Sequence, residues 1–349
     1  MMHDMKRQQV FIQAAEQISI QQPLSEQWME EPIRYQDLLV KAINPPFRDY
    51  MSPGEVRRMG NLMKRALVTA LKVLEETGIE HPDAIITGTS IGSLDYTEKF
   101  LDAMVENGEE ALSPTYFMQS THNTVGATLG IYTKTHGYNT TYSHGDLSFD
   151  LTLLDAWMQM QLGKIRTALV GGQDEMSELY FSLLQKAGYV GLEGMDPCGE
   201  VAMSMMLNCA ESPENLCELA GISVGLLSSA DQLKDNLTKM LDEAGMTMDD
   251  ISAVMTGVSG NPANDQTYRK IIDAVFQHMP LLHYKHLFGE NYTVSALGVY
   301  AAAHCLKKGV VPSFLYDDQS QARCDQPKAI LLLNHMKGKE FSLILLKKI

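Results

Sequence analysis

The chain has 349 residues, 45% of them hydrophobic and 20% charged, with a formal net charge of −15. It is long enough to bury a large core, as one α/β unit or as two domains. The acidity argues against a nucleic-acid surface or a polybasic membrane anchor, and five scattered cysteines without a C-x-x-C pair fit a reduced protein better than a disulfide framework.

The opening stretch, MMHDMKRQQVFIQ, lacks the apolar core of a signal peptide. No window approaches the ~18 apolar residues of a membrane span, so a cytoplasmic location is expected. In RRMGNLMKRAL, Arg57, Arg58, Lys64 and Arg65 form a basic cluster. It reads as a solvated helix face or a docking surface for an acidic partner. DAIITGTS (Asp83–Ser90) reads as a buried strand opening into a turn. STHNT, with His122, precedes a helix over Thr124–His136 whose Gly126, Ala127 and Gly130 permit close packing.

Tyr138–Ser143 is a β-rich run ending in the turn His144-Gly145-Asp146. Leu147, Leu151, Leu154, Met158 and Leu162 then recur at helical spacing. Such a strand–turn–helix is where many enzymes hold a nucleophile, yet no cysteine stands here. Asp146 is expected to cap the helix, its anion favoured there by the helix dipole. Ser143 and His144, being adjacent on a strand, point to opposite faces and make a poor nucleophile–base pair. TALVGG (Thr167–Gly172) is a further buried strand, and Gly199-Glu200 with Ala202 leads into Met203, Met205 and Met206, expected as core.

ESPENLCE interrupts the pattern near residues 210–218. Beyond it, SAVMTGVS (Ser252–Ser259) matches DAIITGTS at an offset of 169 residues, and TVSALGVY from Thr293 matches TVGATLGIY from Thr124, starting at the same offset and needing one single-residue gap. A duplication is the natural explanation, with halves at 1–215 and 216–349. His278, His283 and His286 lack the arranged acidic or Cys partner of a metal site. A small-residue helix is expected over Val294–Lys307, then two adjacent strands, AILLLNH and FSLILLKK. Alternating strands and helices imply mostly parallel pairing.

Duplicated α/β halves, the strand–elbow–helix followed by ALVGG, and the later GE-x-A segment together resemble the β-ketoacyl synthases of the thiolase-like superfamily, over nearly the whole chain. RRMGNLMKRAL, DAIITGTSIGSLDYTEKFL, FMQSTHNTVGATLG and YNTTYSHGDLSFDLTLLDA look like the ketosynthase-like proteins of aryl polyene and dialkylresorcinol pigment clusters. The resemblance implies two βαβαβ halves with mixed sheets layered α-β-α-β-α, a dimer, and work on acyl chains delivered on the phosphopantetheine of an acyl carrier protein, with no other cofactor.

A condensing ketosynthase needs a thiolate nucleophile, two histidines and a backbone oxyanion hole. Counting back from Gly171 puts the nucleophile position at Asp146. Aligning Pro262, Asn264 and Asp265 with the family's first histidine segment puts Gly257 where that histidine belongs. The second histidine segment ends here as Lys285-His286-Leu287-Phe288-Gly289-Glu290, with Glu290 in the histidine's place. Asn334 is followed by HMKGKE in place of the glycine-rich loop. An ionised carboxylate is a poor acyl acceptor, and an ionised Glu290 accepts rather than donates a hydrogen bond. Lys285 is expected to pair with Glu290, Asp146 or another nearby acid.

The resemblance therefore implies a non-condensing copy, of the chain-length-factor type that pairs with an active ketosynthase and shapes its tunnel. His122, Ser143, His144, Lys285 and Asn334 are the pocket candidates. Arg57, Arg58, Lys64 and Arg65 are the candidates for docking the carrier protein or partner. Two alternatives stay open: an acyltransferase, decarboxylase or thioesterase using Ser143, His122 or Asp146, and a homodimeric acyl-binding scaffold.

Overall fold

The computed structural model describes residues 7–110, 112–317 and 323–349; residues 1–6 of the leader expectation lie outside them. The first half runs β1 (Phe11–Ile18), α1 (Pro53–Arg58), α2 (Asn61–Thr77), β2 (Ala84–Gly88), α3 (Leu94–Asn107), α4 (Pro114–Ser120), α5 (Thr124–Thr133), β3 (Tyr138–Tyr142), α6 (Ser148–Gln161), β4 (Thr167–Asp174), α7 (Glu178–Lys186) and β5 (Val201–Asn208). The second runs β6 (Cys217–Leu226), α8 (Ala230–Ala244), β7 (Ala253–Thr256), α9 (Pro262–Val275), β8 (Leu281–His283), α10 (Lys285–Phe288), α11 (Ser295–Lys308), β9 (Ala329–Met336) and β10 (Glu340–Lys347).

The strands form one sheet in the order β3-β2-β4-β5-β1-β6-β10-β9-β7-β8. Each half repeats one pattern outward from the centre, and the halves meet where Phe11 pairs with Glu218 and Ile12 with Cys217. The pairing is not mostly parallel. β2 is parallel to β3 and β4, as β7 is to β8 and β9, but the inner strands β1, β5, β6 and β10 all pair antiparallel. The tight turn from Met336 to Glu340 is the reason on one side. Lys337 and Gly338 both take left-handed φ there (52° and 65°), which returns the chain as a hairpin.

Alternate side chains of each strand enter different layers. Ala168 and Val170 face the central core while Leu169 faces α2 and α5. Leu331 and Leu333 face α8 and α9, whereas Ile330 and Leu332 face the centre. The layers are therefore α2/α5, first half-sheet, α6/α11, second half-sheet, α8/α9. The central helices are the ones flanked by apolar surface on both sides, and α11 is buried from Ser295 to Leu306.

One of the two sequence matches survives in space. β2 and β7 are equivalent, and in each half a carboxylate secures the turn after that strand. Asp174 accepts from the amides of Ser90, Ile91 and Gly92, and Asp265 from those of Ser259 and Gly260. The other match joins helices that are not equivalent. α5 lies between β2 and β3, whereas α11 lies between β8 and β9 and corresponds to α6. Both need small residues for separate reasons. A Cβ on Gly126 would come within 3.1 Å of Thr87 Oγ1, and one on Gly298 within 2.9 Å of the Tyr284 ring.

Candidate functional site

The elbow after β3 is built by backbone geometry. Gly145 takes φ +52°, and a Cβ there would lie 2.7 Å from Met336 Sδ. Gly145–Leu147 form a 3₁₀ turn, so α6 begins at Ser148. The start of α6 carries no side-chain cap; Ser148, its first residue, braces the turn before it instead. Its Oγ accepts from the His144 amide (2.8 Å) and donates to the Gly145 carbonyl (2.7 Å). The Asp146 side chain makes no cap, because the extra turn holds it one residue short of the cap position. Nor is its charge favoured. Burial pushes its carboxyl up to about 6, with Glu290 and Asp150 adding to the effect and Lys285 and Lys337 opposing it. Desolvation outweighs the helix dipole here.

The other degenerate positions gather around it from the second half. A Cβ on Gly257, just past β7, would meet Tyr268 Oη at 2.5 Å and Lys285 Cε at 3.1 Å. The volume of a side chain at this position is thus taken by Tyr268 and Lys285. Tyr268 is fully buried on α9 and donates to Asn334 Oδ1 (3.0 Å). Lys285 Nζ bonds both oxygens of Glu290 at 2.9 Å, as expected. Burial works against its ammonium, but Glu290, then Tyr284 and Asp146, hold its pKa above the ordinary lysine value. Neighbouring Asp196 is pushed up to about 7, first by burial and then by Glu290. Burial and Glu290 push the buried Cys198 thiol up to about 12, so it supplies no thiolate in place of the missing nucleophile.

Asn334 ties the cluster together. Its Nδ2 donates to the Asp146 carbonyl (3.0 Å) and its Oδ1 accepts from Tyr268 and from the His335 amide. Burial pushes His335 down to about 4. The Gly338 amide points at its Nδ1 (3.2 Å), so Nε2 carries the proton and donates to the Asn264 carbonyl (3.0 Å). Where an oxyanion loop would present free amides, the chain satisfies its own groups. Beneath the elbow, Ser295 and Ser342 of the second half donate to the buried Asp150 of α6.

The remaining candidates separate. Ser143 Oγ and His122 Nε2 both reach the Ser90 carbonyl, at 3.3 and 3.2 Å, whereas His144 turns away to Glu340 (2.7 Å). Ser143 and His144 form no dyad. Arg57 and Arg58 are exposed, and Lys64 lies 5.0 Å over the Phe47 ring. Arg65 is no part of a docking face: it is buried, ion-paired with Glu200 (2.8 Å) and bonded to Asn44 (2.6 Å), because it points from α2 into the sheet rather than to solvent. Tyr268, Asp196 and His335 are the members of the cluster that motif counting missed. A signal for Tyr268 was present: it stands three residues after Asp265, on the same helix face.

A family model described as "Beta-ketoacyl synthase, N-terminal domain" matches residues 26–256. No curated protein matches the chain. Among solved structures, the ishigamide ketosynthase/chain length factor superposes with a TM-score of 0.81 at 17% identity, covering 98% of this chain and 100% of the other. A β-ketoacyl synthase from Burkholderia phymatum STM815 gives 0.79 at 14%, covering 99% and 100%. A ketosynthase in complex with its chain length factor from Xenorhabdus doucetiae gives 0.78 at 15%, covering 98% of each. At these identities the likeness is one of fold.

Proposed function

Because the chain belongs to the β-ketoacyl synthase family, we propose that it is a non-condensing member, a chain-length-factor-like subunit that works beside an active ketosynthase on acyl chains carried by an acyl carrier protein. The observation that carries this reading is the filled histidine site: Tyr268 and Lys285 occupy the space above Gly257, and Lys285 is clamped to Glu290. With Asp146 at the elbow, the site has no thiolate to accept an acyl group, and its neutral histidine, His335, already donates its Nε2–H to the Asn264 carbonyl, so none is free to support decarboxylation. The product class proposed is a polyene or alkylresorcinol-type chain, as the elbow and STHNT motifs suggest.

The partner would dock along β3. Among the described residues this strand ends the sheet with one side unpaired, and an unpaired edge invites another strand. Tyr138 on β3, Ile131 on α5, and Phe117 and Met118 on α4 are exposed apolar side chains in the segments around it. Co-expression with a full Cys–His–His ketosynthase, followed by mass measurement of complex and product, tests the reading; an equimolar complex is expected. A homodimer that persists in the ketosynthase's presence would favour the scaffold alternative. For the enzymatic alternative, purified protein is incubated with acyl- and malonyl-carrier protein. Carbon dioxide release abolished by Asp146→Ala would sink the non-catalytic claim.

A further inference from the structure

The helix beside the free edge of the sheet carries one charge in an apolar face. Leu151, Asp155, Met158 and Leu162 follow one another at helical spacing, so they line one side of α6 and its end. Met158 and Leu162 are exposed, and Leu151 and Asp155 are half-buried. Tyr138 and Tyr142 of β3 share one face of that strand and lie beside Asp155. Burial, then the Asp155 charge, pushes the Tyr142 phenol up to about 12, and burial and then Asp155 raise Tyr138 as well.

The acceptor capacity of Asp155 is little used. Gln159 Nε2 donates to its Oδ1 (3.1 Å), whereas Oδ2 is buried without a hydrogen-bond partner among the described residues. A carboxylate accepts about four bonds, and a buried acceptor left unmet is costly. The elements around it offer no cation: α6 reads SFDLTLLDAWMQMQ and β3 reads YNTTY, neither with a lysine or an arginine. A second copy docked on the same edge through a two-fold axis presents the same patch again. It would add another Asp155 and, from these elements, no cation.

We propose that Asp155 selects the partner at this edge: it requires an arginine from a different chain and disfavours a second copy of this one. The inference rests on the docking reading given above. A guanidinium brings positive charge and N–H donors to the carboxylate, and its plane stacks on aromatic rings such as the exposed Tyr138, which a lysine ammonium does not. Leu151 and Met158, on either side of Asp155 along the helix, shield the pair from water, as the surround of an interface anchor does. Self-pairing would instead set an acid against an apolar stripe and a like charge. Specificity then comes as much from the penalty on the wrong partner as from the bond to the right one.

The test is analytical ultracentrifugation of the full chain, alone and mixed with the Cys–His–His ketosynthase, as wild type, Asp155→Asn and Asp155→Leu. Both variants are expected to weaken the mixed complex about tenfold or more. Asp155→Leu, which completes the apolar face, is expected to strengthen association of the chain with itself by a similar factor. Asp235→Asn, an exposed control on α8, should change neither. A mixed complex that forms equally well with wild type and both variants overturns the inference and leaves the docking reading standing, as does a wild-type chain that self-associates as tightly as Asp155→Leu. Absence of any complex with the wild type overturns both. Near-UV circular dichroism checks the fold of each variant, and Asp155→Asn, which keeps the shape of the side chain, carries the comparison should Asp155→Leu lose it.

Discussion

Asp146 sits where its charge is disfavoured, and this sets a pH dependence. Its folded pKa, about 6, lies above the ordinary value of about 3.9. The stability linked to its proton is therefore fully present below about pH 4 and lost as pH rises through about 6. Asp146→Asn should be more stable than wild type by roughly 1–3 kcal/mol at pH 8, the gap closing toward pH 4 in urea titrations. Glu290→Gln acts oppositely. It leaves the buried Lys285 ammonium without its anion and should cost about 3–5 kcal/mol, read as a lower urea midpoint. Rebuilding the catalytic set is predicted to fail. Asp146→Cys, Gly257→His and Glu290→His combined should show no condensation with acyl- and malonyl-carrier protein, because an imidazole in the place of Gly257 would collide with Tyr268; activity from this triple variant would refute the filled-site explanation. Counting from motifs found Asp146, Gly257, Glu290 and Asn334 although up to 188 positions separate them. It missed Tyr268 and the direction of the Asp146 shift, since both depend on what packs nearby rather than on spacing.

Among the elements, β3 and the helices beside it carry the proposed partner surface. Ile131 on α5 is 81% exposed, so Ile131→Glu should leave monomer stability unchanged while weakening the complex with the ketosynthase about tenfold or more, as at an interface anchor. Analytical ultracentrifugation of the mixed proteins measures this. Strands and helices were readable where their periodicity is strong. The Thr124 helix stops early, at Thr133, with Lys134 in a left-handed cap, and β3 has a partly exposed face that its β-rich composition did not reveal. The false pairing of α5 with α11 has a physical lesson: close approach selects small residues in any helix, so glycine and alanine report packing distance rather than common position. The parallel expectation failed likewise, because an alternation of elements does not encode the hairpin turn at Lys337–Gly338.

At the scale of the molecule, the duplication was legible and the fusion of its halves was not. The central core takes side chains from both: Phe149, Leu153 and Ala156 of α6 pack in one cluster with Leu297, Tyr300 and Ala301 of α11. Trp28 contacts Phe288 and Tyr300 across the seam. Neither half owns a complete interior, so residues 1–215 or 216–349 expressed alone should remain unfolded by circular dichroism, while the whole chain melts in one transition. A folded, soluble half would contradict this.

β10 is made after every other described strand, yet it lies between β6 and β9 and brings Ser342 to Asp150 of the first half. Until it arrives, the nascent chain carries two open strand edges in what will become the middle of the sheet. Pairings this distant along the chain form slowly and leave it prone to aggregation meanwhile. A chain stalled before β10 is complete would thus be a sticky intermediate rather than a slightly shortened protein.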